Sequence, residues 1–510
     1  MLCRDNPGLV HIREIFLRLE RITVSDKRRR YHSDDSSDDE EVEENTVIPG
    51  QNAQFTVRIL LDHLPRNTLE IFSWQCWEPL SVDNFLLLCK NQRKLRVIDI
   101  GLMDKPLYPE LQKNPDIFKN LSELHSVDMY PDTLDRLKCC QKMLQDRPNI
   151  EYLCVSNAFD YSDEHPEGLH DSSTRPGLLS RTLFSHMNPP SFENCEPLRL
   201  KNLDLDTVEL RYCEHTWLRA IDFTILVRLE IRQCPGVNSL FTELSKPHLR
   251  PAKLKSLEWL DDETNEHYAL EAFEGFLEST NTLEVLHVSV NKMRTLPKVS
   301  SIMCHRKTLL SLSIHSQMSH NNVYNYSEED FGRLCDECKE IRQLSVMFPK
   351  TSVDLAIPSP EFTNFLMHAQ KLRYLITLNI RRWPTTGDQF FTRRYLPNLR
   401  RYEHQLQRFA QHIFESFDED SMSKGHGLGN RSRLAVVAWG GNGKTRHGPE
   451  GNDKFKLKQM PFVRGWKIDP FGQKSMLAVQ TIWRLVQFVE PDSDILNHSL
   501  YDMHDVHQGP

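Results

Sequence analysis

Apolar residues recur along most of this chain in the arrangement L-x-x-L-x-L, with any aliphatic or aromatic side chain in the L slots. Its first position falls at Leu69, Leu95, Leu121, Ile150, Leu200, Leu226, Leu254, Leu283, Leu309, Ile341, Leu372 and, in a last weaker copy, Leu399. The clear copies read LEIFSW, LRVIDI, IEYLCV, LKNLDL, LVRLEI, LEVLHV and LLSLSI; LSELHS, LKSLEW, IRQLSV, LRYLIT and LRRYEH are weaker. In the copy at Leu372, the trio Leu375, Leu378 and Ile380 fits equally well three residues later. The steps are 26, 26, 29, 50, 26, 28, 29, 26, 32, 31 and 27 residues. The step of 50 reads as two units, one interrupted by the Ser/Pro/His-rich stretch between Ser156 and Pro197. A fragment at Ile12, IREIFL, fits the same template.

The closing x-L-x-L-x part alternates with period two, which predicts a short strand with one buried face. Helical spacing precedes several copies. Ser359-Pro360 offers an N-cap and a proline at the first helical position, followed by Phe362, Phe365, Leu366 and Ala369 on one face. Ser327 with Asp330 forms a shortened capping pair ahead of Phe331, Leu334, Cys335 and Cys338, and Phe273, Phe276 and Leu277 make a third apolar face. A helix, a strand and a link of this size cannot bury their own apolar faces. Stacked copies can, in one continuous core with a curved outline.

These residues resemble a family. The chain is similar to a degenerate leucine-rich-repeat horseshoe of the long-repeat kind. LVRLEIRQCPGV from Leu226, with Cys234 and Gly236-Val237 after the strand, resembles the cysteine-containing repeats of F-box proteins. KQMPFVRGWKIDPFGQKS together with WRLVQFVEPDSDIL resembles the ending of fungal F-box-like repeat proteins. The resemblance covers roughly residues 53–405 and implies substrate recognition for a ubiquitin ligase. It departs from the family near residue 1, where the sequence reads as strand rather than as a helical F-box, so a truncated or F-box-less member is expected.

The fold expected is therefore α/β: a leucine-rich-repeat-like solenoid, a curved horseshoe with a parallel concave sheet and irregular convex helices, plus a small C-terminal capping region. Four segments follow: 1–24, an N-terminal repeat fragment; 25–52, an acidic disordered insertion; 53–405, the solenoid; and 406–510, a capping helix and strand meander. In the last segment Tyr402 to Phe417 reads as a helix with Leu406, Phe409, Ile413 and Phe417 on one side. RLAVVAW, PFVRGWKI and AVQTIWRLVQFV read as strands of the meander.

Composition narrows the class. Hydrophobic residues make up 39% and charged residues 26%, and no apolar run approaches the ~20 residues needed to span a bilayer. There is no signal-peptide pattern at Met1, and twelve irregularly spaced cysteines read as reduced thiols, so a cytoplasmic or nuclear protein is expected. The net charge of −8 argues against a nucleic-acid partner. Its source is local: SDDSSDDEEVEE, Ser33 to Glu44, holds eight acidic residues, just after Lys27-Arg28-Arg29-Arg30. A solvated surface loop is the plain reading; nuclear import by the basic run, or phosphorylation at Ser36 and Ser37, are the functional ones.

Candidate chemistry is thin. Gly440, Gly441, Asn442, Gly443, Lys444 and Thr445 imitate the end of a phosphate loop, but Ala438 replaces its first glycine. Glycines and a proline follow where a helix should start, so residues 438–445 read as a hairpin turn, with a nucleotide-binding switch as the alternative. Cys335 and Cys338 form one C-x-x-C without a second, and both fall on an apolar helix face, so core packing is expected rather than metal. Leu137, Cys140 and Leu144 share another such face. His504 and His507 have ligand-like spacing on a terminal tail. No catalytic residue, cofactor or metal site is assigned, and the chain reads as a non-enzymatic scaffold.

Function is expected on the concave sheet, where the x positions of each copy point to solvent. The residues so placed are Asp99; Tyr152 and Ser156; Asn202, Asp204 and Asp206; Arg228, Glu230 and Arg232; Ser256 and Glu258; His287 and Ser289; Ser311, Ser313 and His315; Gln343 and Ser345. This mixed polar surface suits a protein partner, with ubiquitin-ligase components implied by the resemblance, an adaptor unrelated to ubiquitin as the other reading, and no membrane role.

Overall fold

The computed structural model describes residues 7–19, 49–76, 79–100, 106–129, 131, 133–147, 149–156, 178–185, 196–211, 213–261, 267–290, 295–315, 325–353, 358–385, 399–423, 433–440, 459–468, 470–491 and 495–496. The runs at 27–30 and 33–44, Gly441 to Thr445, His504 and His507 lie outside them. The chain divides into two compact units, Met1–Asp222 and Phe223–Pro510. Each is an α/β layer in which helices alternate with strands of a parallel sheet.

In the first unit six strands follow chain order: β1 (Glu14–Leu19), β2 (Ile71–Cys76), β3 (Val97–Ile100), β4 (Ser126–Met129), β5 (Tyr152–Ser156) and β6 (Asn202–Asp206). All neighbours are parallel, and β1 pairs Glu14 with Ile71, so the fragment at Ile12 is a full repeat strand. The connections carry α1 (Pro49–His63), α2 (Val82–Asn91), α3 (Tyr108–Lys113), α4 (Leu134–Asp146) and α5 (Leu178–Leu183), and α6 (Glu214–Ala220) follows β6. A parallel pair requires a crossover, and the right-handed rule puts successive crossovers on one side of the sheet. The repeat leucines Leu69, Leu95, Leu124, Ile150 and Leu200 are buried, as are the second-slot residues Phe72, Ile98, Val127, Leu153 and Leu203. One carbonyl of each repeat accepts two successive amides of the next: Glu70 from Arg96 and Val97, Arg96 from His125 and Ser126, His125 from Glu151 and Tyr152. This stitching fixes the register.

The second unit has β7 (Arg228–Arg232), β8 (Ser256–Asp261), β9 (Val285–Val290), β10 (Ser311–His315), β11 (Gln343–Val346), β12 (Thr377–Ile380) and β13 (Val436–Trp439) in parallel order, closed by the antiparallel strands β14 (Met460–Ile468) and β15 (Lys474–Gln480). Its helices are α7 (Val237–Leu244), α8 (His267–Ser279), α9 (Val299–Ile302), α10 (Glu328–Glu337), α11 (Pro360–Ala369), α12 (Leu399–Ser423) and α13 (Trp483–Val489). The capping expectations hold: Ser359 Oγ accepts from the Phe362 amide with Pro360 at the first turn, and Ser327 Oγ accepts from the Asp330 amide. Aromatic rings tie helices to strands. Phe241, Trp259, Phe273 and Phe276 form one cluster, and Phe331 stacks on Phe365 at 4.5 Å. Each fully buried ring contributes roughly 1.5–3 kcal/mol.

Cys335 and Cys338 are buried on the α10 face, and burial pushes the Cys338 thiol up to about 12. In α4 the more buried sulfur is that of Cys139 rather than Cys140, which lies on the half-buried flank of the helix.

Several boundaries differ from expectation, each for a physical reason. The copy placed at Leu121 begins at Leu124, because β4 pairs Ser126 with Val97; Leu121 closes the preceding turn by donating to Phe118 O. The register left open between Leu372 and Leu375 is decided by β12, which pairs Thr377 with Gln343: that copy begins at Leu375, the second of the two readings, and Leu372 ends the turn after α11. A second leucine three residues upstream satisfies L-x-x-L in either place. The 50-residue step is one repeat, not two: β5 and β6 are direct neighbours, with α5 in a long crossover. The copy at Leu399 is the start of α12, where the 3.6-residue spacing of Tyr402, Leu406, Phe409 and Ile413 prevails over a short strand template. α12 also runs across the boundary placed between 405 and 406, and α1 begins at Pro49, inside the segment 25–52. LAVVAW supplies the last parallel strand, with Leu434 in the first slot and Val436 opposite Thr377. Finally, AVQTIWRLVQFV is half strand and half helix: β15 stops at Gln480, and α13 turns Val486 into the core.

Candidate functional site: the helix-free face of the sheet

The pairing register brings the predicted face residues into rows. In the first unit, Ser73, Asp99, Asp128, Cys154 and Asp204 occupy equivalent positions on five consecutive strands. Tyr152 sits two residues before Cys154, opposite Asn202, and is half-buried. Strands lie ~4.8 Å apart, so each side chain in such a row is flanked on both sides by the next. That explains why Asp99, Asp204 and Asp206 are buried rather than solvent-facing. Ser73 Oγ donates to Asp99 Oδ2 at 2.7 Å. Asp128 Oδ1 has no hydrogen-bond partner, and burial, with the charges of Asp99 and Asp204, raises its carboxyl to about 8. At neutral pH this carboxyl holds a proton.

In the second unit the corresponding row runs Glu230, Glu258, His287, Ser313, Ser345, Asn379 and Ala438. Two carboxylates stand on adjacent strands at its start, an arrangement that repels. Arginine resolves it. Glu230 pairs with Arg228 through Oε1 and with Arg232 through Oε2, while Arg232 Nε reaches Glu258 Oε1 at 3.4 Å. Arg228 remains half exposed; Arg232 and both carboxylates are largely enclosed.

Further along, His287 Nε2 lies 3.1 Å from Ser311 Oγ, which in turn donates to Gln343 Oε1 at 3.4 Å. The same Gln343 oxygen accepts from the Ile495 amide. Ile495 and Leu496 pack with Val436, Ala438 and Val486, so the C-terminal stretch covers the last strands on this face. His287, Ser311, Ser313, Gln343 and Ser345 are buried, where the strand alternation alone places them in solvent. Charged residues lead the row, neutral polar ones follow, and apolar ones end it.

Three residues of the face escaped the sequence pattern: Asp128, Asn379 and Arg381. All belong to the two copies displaced by three residues, at Leu124 and Leu375. The alternative reading at Leu375 would have exposed two of them. Arg381 donates from Nε to Ser345 Oγ at 2.9 Å and from Nη2 to Ser313 Oγ at 2.7 Å, and Asn379 Nδ2 donates to Ser345 Oγ at 2.9 Å. Burial lowers the Arg381 guanidinium to about 10, with the Glu258 charge acting the other way. Burial, then the charge of Arg381, lowers His315 to about 3.

Elsewhere, Gly440 follows β13 with φ +85°, and an added Cβ would lie 2.6 Å from the Trp383 ring. Beyond it the next described strand, β14, runs antiparallel to β13, as a hairpin connection requires. Among the described residues no group of three or more His, Cys, Asp or Glu is placed to hold a metal ion, and no helix is long and apolar enough to cross a membrane.

No family model matches the chain, and comparison with curated proteins finds no match.

Proposed function

We propose that this chain is a non-enzymatic protein-recognition scaffold of the leucine-rich-repeat type, binding a protein partner on the face of its second unit that carries the polar row. One observation carries the reading: consecutive strands align Glu230, Glu258, His287, Ser313 and Ser345 at a single register position, and at the charged start of this row Arg228 keeps half of its side chain in solvent. Such a ladder of neighbouring side chains on a repeated sheet is the form of an extended recognition surface. The resemblance of LVRLEIRQCPGV to F-box-protein repeats extends the proposal to a substrate receptor working with ubiquitin-ligase components, in the cytoplasm or nucleus.

The test is affinity purification with mass spectrometry, comparing the wild type with the charge-reversed pair Arg228→Glu and Glu258→Lys. A partner recovered with the wild type and lost with the variant supports the surface. Recovery undiminished by the variant places the interaction elsewhere and sinks the proposal. Absence of ligase subunits among the recovered proteins removes the receptor role and leaves an adaptor unrelated to ubiquitin.

A further inference from the structure

Arg381 leaves the end of β12 and turns back across β11 and β10, where Ser345 and Ser313 hold its guanidinium. Hydroxyls position a cation without discharging it. Among the described residues no carboxylate lies within ion-pair distance of Arg381, and Glu258, whose charge reaches it, is engaged by Arg232. Beside it the buried His315 Nδ1 has no hydrogen-bond partner. Arg381 keeps partial access to solvent, although its surroundings are dense enough to lower its pKa. A desolvated cation without a counter-ion costs several kcal/mol unless an anion completes the arrangement.

We infer that Arg381, seated on Ser313 and Ser345, binds a carboxylate carried by the partner protein. This rests on the reading of the face as a partner surface. The chemistry selects a carboxylate over a phosphate. Arg381 alone is seated on the serines, two of its N–H groups already serve them, and the other arginines of the face, Arg228 and Arg232, are engaged by Glu230 and Glu258. The free edge of the one guanidinium suits a planar monoanion, whereas a doubly charged phosphate would keep a charge that this single cation does not balance.

The probes are randomised peptides immobilised with one fixed central residue: Glu or Gln with an amidated end, Gln with a free C-terminus, and phosphoserine. Wild-type protein is expected to retain the Glu pool, or the free-terminus pool, about fivefold over amidated Gln, the ratio that ~1 kcal/mol supplies. The two arms tell an acidic side chain from a chain end. Arg381→Gln should erase the preference in a protein that stays folded and melts no lower than the wild type, Arg381→Lys should leave part of it, and Ser313→Ala should reduce it while keeping the charge. Equal retention of all pools, a preference that survives Arg381→Gln, or stronger retention of phosphoserine overturns the inference. A captured partner that binds Arg381→Gln as well as wild type overturns it too, while leaving the scaffold reading standing.

Discussion

The two units place acidic residues at equivalent positions of their strands and handle the resulting repulsion in different ways. In the first, Asp99, Asp128 and Asp204 stand within one row, and Asp128 responds by holding its proton at neutral pH. In the second, Glu230 and Glu258 are met by arginine: Arg228 and Arg232 are built between and beside them. Protonation makes a surface that changes with pH. Arginine pairing makes one that responds to the loss of a single side chain. The same repeat geometry thus yields two electrostatic materials, and the difference lies in the arginines two residues before and two residues after Glu230.

Breaking the arginine solution should have the largest effect. Arg232→Met leaves two enclosed carboxylates facing each other and should destabilise the second unit by about 3–4 kcal/mol, read by denaturant unfolding. Adding Glu230→Gln should recover much of that loss. A cost below ~0.5 kcal/mol for the single variant would show that the pairing does not hold the row.

Next comes the protonated acid. The folded state keeps a proton on Asp128 up to about pH 8, whereas an unfolded aspartate releases it near the ordinary aspartate value of 3.8. Between those limits the native state binds more protons, so stability falls as pH rises. Asp128→Asn should remove that slope, with little change near pH 4 and a stabilisation that grows toward pH 8 by up to about 1.4 kcal/mol per pH unit. Melting curves of both proteins across this window decide it; parallel curves would refute the assignment. Smaller again, Ser73→Ala removes the bond to Asp99 and should cost about 1 kcal/mol in a thermal melt. Smallest, Arg228→Ala should cost no more than ~0.5 kcal/mol, since its half-exposed side chain is screened by water and Arg232 still serves Glu230.

Much of this organisation was legible beforehand. The spacing of Leu95, Ile98 and Ile100 places the strand β3, though not the burial of Asp99 within it, and Ser359-Pro360 can begin a helix but not continue one. The failures share a cause. Leu121 and Leu372 close turns with the same residue type and spacing that Leu124 and Leu375 use to open strands, and only the hydrogen-bond partner of the neighbouring strand separates them. The slip removed Asp128, Asn379 and Arg381 from view, so the residues most informative about electrostatics were the ones hidden. Burial of Gln343 was beyond reach for another reason: Ile495 lies 152 positions from Gln343, and no local pattern announces so distant a cover.

The long crossover between β5 and β6 has an implication for how such a chain can change over time. Neighbouring strands meet at the same offset whether 26 or 50 residues separate their first slots, because closing a longer loop adds little entropy. New sequence can therefore accrete along the connections, lengthening the gene by whole segments, without displacing any rung of the ladder beneath.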